Sequence, residues 1–165
     1  SGAEWDATGG ATRAVCDIRP RRHHTPPGRD CSCGLYAWHA GHRGHWLTRR
    51  MASQSLRTVV GVVEAWGTIE LHPMGFRAEF ARPIAFLSPA LRSESGLERQ
   101  ELLTYKCRLF ELAETCGAEL IDLETDSLWA WLRNDGRYLS PGTIHRLIIP
   151  EYFEKKRRRS KPEDD

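Results

Sequence analysis

No run of apolar residues in this chain approaches the roughly 20 that a membrane-spanning helix needs, which excludes a helical membrane protein. The opening stretch SGAEWDATGG has neither a basic segment nor an apolar core, so no secretory signal is expected there. Cysteine occurs five times, an odd number, and Cys107 and Cys116 fall within a helical pattern. That is a poor disulfide framework and points instead to a reducing cytoplasm. Lysine is scarce, with 4 residues against 20 arginines, a bias of composition rather than of structure. Also missing are a nucleophile elbow, a Walker loop, a Rossmann glycine fingerprint and any internal repeat.

What is present suits one soluble globular domain. The 165 residues are 40% apolar and 28% charged, enough to bury a core without disulfides. The net charge of +2 is unevenly spread. Residues 1–60 carry +5, residues 94–136 carry −6, and residues 137–165 carry +3. The basic and acidic regions can complement one another within the fold, or leave a basic face for an anionic partner.

Residues 1–13 read as a flexible N-terminus, 14–153 as one globular domain, and 154–165 as a charged, disordered tail. Within the domain, residues 14–50 are irregular and rich in Arg, His, Gly and Pro. A segment of that length without its own apolar periodicity needs something to hold it, and a metal is the usual answer. Residues 56–87 read as a β-meander, with a turn at His72-Pro73-Met74-Gly75. Gly61 and Gly67 suggest bulges or close backbone contacts. Pro83 should place the following segment at an edge or bend, with Ile84 to Leu87 as a short final strand.

Residues 95–116 form the main helix, with Ser95 and Glu98 as a capping box and Gly117 beyond its end. Its apolar stripe runs through Leu102, Leu109, Ala113 and Cys116, joined by Leu103, Phe110 and Leu112. A short strand over 119–123, a short helix through Trp129, Trp131 and Leu132, and a last strand over 143–149 complete the reading. The expected fold is α+β: a zinc-stabilised N-terminal segment on a small, bent, barrel-like antiparallel sheet, with one main helix and a short second one.

The stretch CSCGLYAWHAGHRGHW, residues 31–46, concentrates the chemistry. Three thiolates and one imidazole complete a tetrahedral zinc shell, so Cys16, His24, Cys31 and Cys33 are the expected ligands of a structural Zn2+, with His23 and His39 as alternates for the imidazole. Arg19, Arg21, Arg22 and Arg29 would offset the site's negative charge and favour thiolates. Pro26-Pro27-Gly28 makes a rigid turn bringing His24 near Cys31, and Gly34 lets the backbone turn tightly beneath the metal. The same cysteines would also read as buried thiols, or Cys31 and Cys33 as a redox pair that lacks the usual C-x-x-C at a helix start. His39, His42 and His45 recur at a spacing of three. As three imidazoles with an open position they would resemble a catalytic metal site. Gly41 and Gly44 argue against the regular helix that would gather them, and solvated or phosphate-contacting histidines are the plainer reading.

The segments Cys31-Ser-Cys-Gly-Leu-Tyr-Ala37, Gly61-Val-Val-Glu-Ala-Trp-Gly67 and His72-Pro-Met-Gly-Phe-Arg-Ala-Glu79 follow one another in order. As a set they resemble an uncharacterised, mostly actinobacterial family with CxCGIYA-like, GxVxxWG and HxxG[YF]RAE motifs. The resemblance spans residues 14–87. It implies that the Cys/His segment and the hairpin form one unit, and it implies no reaction.

Trp66, His72, Arg77 and Glu79 are the candidate ligand-binding group. In a hairpin turning at 73–75, Trp66 and Gly67 would lie across from Arg77 and Glu79. An indole beside a guanidinium could hold a base, a nucleotide or a methylated side chain. The plainer alternative is a core Trp with a surface ion pair. Asp122, Glu124 and Asp126 alternate and could bind a divalent cation, although a solvated edge or helix start explains them as well. Lys155 to Arg159 could contact phosphates, but Glu163, Asp164 and Asp165 weaken that charge. The expected function is a non-enzymatic, zinc-containing binding module for nucleic acid or a nucleotide-like ligand. A protein–protein adaptor is the alternative, and a metal-dependent hydrolase using His39, His42 and His45 the third.

Overall fold

The computed structural model describes residues 5–16, 24–28, 31–39, 58–89, 99–123, 125 and 128–135. The capping box at Ser95 and Glu98, the strand over 143–149, the tail, and His23, His42, His45, Glu124 and Asp126 lie outside these residues.

The elements are β1 (Thr12–Arg13), β2 (Leu35–Trp38), β3 (Gly61–Leu71), β4 (Gly75–Ser88), α1 (Arg99–Cys116), β5 (Glu119–Asp122) and α2 (Leu128–Asp135). The architecture is α+β, as the sequence suggests, and 14-residue β4 is its spine. One edge of β4 carries β3. The other edge is shared end to end: β2 pairs residues 75–78, β1 pairs 80–81, and β5 pairs 85–88. The sheet is open, so the barrel-like expectation is not met.

Three of the four pairings are antiparallel, but β5 runs parallel to β4. The sheet is antiparallel as expected, apart from this one short strand. The chain leaves β4, passes through α1 and returns in the same direction, which is the connection a parallel pair requires.

The β3–β4 hairpin closes where expected. The His72 N–H donates to the Gly75 carbonyl at 2.8 Å, and the Gly75 N–H returns to His72 at 3.4 Å. Two irregularities bend the ribbon. Trp66 pairs with Phe80 and Ile69 with Ala78, so β3 holds one extra residue there. Gly67 sits in that bulge with φ +78°, and a Cβ on it would lie 2.9 Å from the Phe80 ring, so glycine is required. On the other strand, Val62 pairs with Ala85 and Val63 with Pro83, leaving Ile84 extra. Pro83 therefore does not end the strand. It lies at a bulge, between the stretches that β1 and β5 pair, where a missing N–H is tolerated.

The C-terminal half of β4 is packed on both faces. Phe86 meets Tyr105, Leu109 and Ala113 of α1. Ala85 and Leu87 meet Leu128 and Leu132 of α2, with Ile121 of β5. The buried stripe of α1 is Leu102, Tyr105, Leu109 and Ala113. Tyr105 was not anticipated in it, and Leu103 and Phe110 are exposed. One sheet face supports only a narrow stripe on a helix. α1 ends as expected: Gly117 has φ +60°, the Ala118 N–H reaches the Ala113 carbonyl at 2.9 Å, and the Gly117 N–H reaches Glu114 at 3.1 Å, satisfying two orphan carbonyls. The N-terminal half of β4 has a smaller apolar cluster of Ala14, Leu35 and Ala81, with Val63 and Ala65 against it. Among the described residues no helix is long and apolar enough to cross a membrane.

Candidate metal centre

Three short segments bring four donors together. Cys16 follows β1, whose course is extended by the Ala14 N–H bonding to the Glu79 carbonyl at 2.7 Å. Cys31 and Cys33 precede β2, and His24 opens the turn through Pro26 and Pro27. The Cys31 N–H donates to the Gly28 carbonyl at 3.1 Å, which folds this loop back on itself. Gly28 makes room for the imidazole: a Cβ there would stand 2.6 Å from the His24 ring.

The donor atoms of Cys16, His24, Cys31 and Cys33 all lie within 4.8 Å of one another. Cys16 Sγ is 3.6 Å from Cys31 Sγ, and His24 Nε2 is 3.0 Å from Cys33 Sγ. None of these cysteines is joined in a disulfide. The four expected residues are thus close enough to bind a metal ion.

Burial pushes the Cys33 thiol up, and the neighbouring thiols of Cys31 and Cys16 add to that, while the Gly28 N–H at 3.4 Å pulls the other way. Crowded thiols resist ionising together, and a coordinated metal reverses that preference.

Arg77 organises the loop from beneath. It is only 6% exposed. Its guanidinium donates to the carbonyls of Cys31, Cys33 and Gly28, the last two at 3.1 and 3.4 Å, and to the Glu70 carboxylate. Glu70 also meets His72 Nε2 at 3.3 Å. The Tyr36 ring lies alongside, 5.9 Å from the guanidinium carbon. Gly34, at φ +128°, completes the fit, since a Cβ there would be 3.1 Å from Arg77 Cβ. A buried guanidinium spent on loop carbonyls fixes the backbone that presents two of the four donors.

The structure separates the other candidates. Arg77 pairs in register with Glu70 and Tyr36, whereas Trp66 pairs with Phe80. The indole stacks on the Phe80 ring at 5.9 Å and 9°, and the Arg13 guanidinium lies 5.4 Å from the same ring. Glu79 accepts from Arg13 at 3.2 Å and from the Thr68 N–H at 3.4 Å. His72 belongs to the hairpin turn. His39 is buried, with its Nε2 donating to the His72 carbonyl at 2.7 Å, and His24 rather than His39 lies in the donor cluster. Asp122 meets Lys106 Nζ at 3.2 Å.

Sequence reasoning missed Glu70, Phe80 and Arg13. For Glu70 the signal was available: a hairpin closed by His72 and Gly75 sets residue 70 opposite 77. Comparison with protein-family models, with curated proteins and with solved structures finds no match, so the meaning of this centre follows from its own chemistry.

Proposed function

We propose that the chain is a non-enzymatic, zinc-containing binding module for nucleic acid or a nucleotide-like ligand, working in a reducing cytoplasm. Zinc suits the donor set, because three sulfurs and an imidazole fill a tetrahedral shell and leave no open position for catalysis. Zn–S bonds of about 2.3 Å set sulfurs roughly 3.8 Å apart, close to the 3.6 Å between Cys16 and Cys31.

The observation that carries the ligand reading is the row Arg13–Phe80–Trp66 across three strands. Parallel rings whose centroids stand 5.9 Å apart are offset, which leaves much of the indole face uncovered. Flat bases stack on such rings with little regard to sequence. Arg13 and Arg82 flank the rings with side chains 62% and 51% exposed, each oriented by a carboxylate, Glu79 or Glu64. Both guanidinia keep N–H groups to offer phosphate.

Anisotropy of labelled single-stranded DNA and RNA tests this. Binding should weaken as salt rises, and Trp66→Ala should weaken it about tenfold. No binding of oligonucleotide or nucleotide at low salt, with the zinc intact, would sink the reading. The adaptor alternative draws on different residues: Tyr36 and Trp38 on β2 are 62% and 55% exposed, and aromatic residues are enriched where proteins meet.

A further inference from the structure

We propose that Cys31 is a peroxide-modification site with Cys16 as its resolving partner, so that closing this pair into a disulfide expels the metal. The idea rests on reading the centre as zinc-loaded, and it adds a regulated state to it.

All four donors lie within 4.8 Å of one another, but they differ in exposure and in what holds them. Cys33 Sγ is held by His24 Nε2 at 3.0 Å and by the Gly28 N–H at 3.4 Å. Cys16 Sγ lies 3.6 Å from Cys31 Sγ. Cys16 and Cys33 are each 7% exposed, while Cys31 is only half-buried. A small oxidant therefore reaches Cys31 first. A Cys31–Cys33 disulfide would close a ring over a single residue, Ser32, and Arg77 pins the carbonyls of both cysteines. A Cys16–Cys31 disulfide joins residues 15 apart in sequence whose sulfurs are already neighbours.

The chemistry balances with hydrogen peroxide as the named oxidant. The Cys31 thiolate attacks one peroxide oxygen: an S–O bond forms, the O–O bond breaks and hydroxide leaves. The Cys16 thiolate then attacks the Cys31 sulfur: the S–S bond forms, the S–O bond breaks and a second hydroxide leaves. Two electrons pass from the sulfurs to peroxide, and two protons complete two waters. The ion is left with only Cys33 and His24, half of its shell, and is lost.

The test treats the full, reduced, zinc-loaded chain with hydrogen peroxide, follows released zinc with a chromogenic chelator, and maps disulfides by mass spectrometry without reduction. One zinc per chain should appear together with a Cys16–Cys31 linked peptide, and thiol reductant plus zinc should restore the starting state. Cys107→Ser, which removes an exposed cysteine on α1, should respond as wild type does. Zinc retained while Cys107 oxidises overturns the proposal, as does release accompanied by a Cys31–Cys33 link or by Cys31 sulfinate alone. Protein that takes up no zinc at all would remove the zinc reading along with this one, whereas zinc-loaded protein that resists peroxide removes only this one.

Discussion

The two ends of β4 are held by different physics. At its C-terminal end, Phe86 packs on α1 while Ala85 and Leu87 pack on α2, so spread-out apolar area carries that half. At its N-terminal end the apolar cluster is small, with two alanines and one leucine fully buried in it. There the work falls to a few directed bonds: the thiol–imidazole cluster and the Arg77 guanidinium. A half held by area loses stability gradually as contacts are trimmed. A half held by four donors and one guanidinium should respond unevenly, most sharply when the donors are disengaged together.

Chelation is the largest test of that contrast. Removing the proposed zinc should cost the N-terminal half on the order of 5 kcal/mol or more. Hydrogen exchange should then show amide protection lost across β1 and β2 while α1 and β5 keep theirs. If α1 exchanges as fast as β2 after chelation, the two halves are one cooperative unit and the contrast fails.

Leu109→Ala attacks the other half. Leu109 is 2% exposed between α1 and Phe86, so urea unfolding should show a loss of about 3 kcal/mol, with zinc content unchanged. Arg77→Met should follow at about 2 kcal/mol, because it strands the Cys31, Cys33 and Gly28 carbonyls. Unlike the leucine change, it should also weaken zinc retention against a chelator. Glu70→Gln alone should do less, since those carbonyl bonds survive it.

The smallest effect concerns pH. Burial holds the Tyr105 phenol above its ordinary value of 10.0. Its contribution is complete below that value and is lost as pH rises beyond it, because the unfolded phenol ionises first. The urea midpoint should therefore decline as pH rises above about 10, and Tyr105→Phe should flatten that decline. Its hydroxyl also donates to the Thr58 carbonyl at 3.1 Å, so the variant starts from a lower midpoint.

The hairpin, its turn and the end of α1 were legible because alternation, Pro73 and Gly117 each dictate local backbone geometry. The donor set was legible because few residue types bind metal, and here they lie close in sequence. Strand direction was not: the pattern of Glu119–Asp122 is the same whichever way it runs beside β4. The bend at Pro83 was legible, but not that β4 runs on through it as one strand; Leu103 and Phe110 misled because apolarity alone does not say which side of a helix finds a partner. Arg77 misled most. Its charge and its place in an alternating strand suggest exposure, and only the path of a distant loop supplies the carbonyls that let it sink.

Gly67 has a consequence for which side of the ribbon faces what. Trp66 and Glu70 are four residues apart and would project the same way from an unbroken strand. The single inserted residue reverses the alternation between them, so the indole joins Phe80 while the carboxylate turns to Arg77. One glycine thus divides a continuous strand into a part that serves the metal loop and a part that faces outward, and each can change its side chains without disturbing the other.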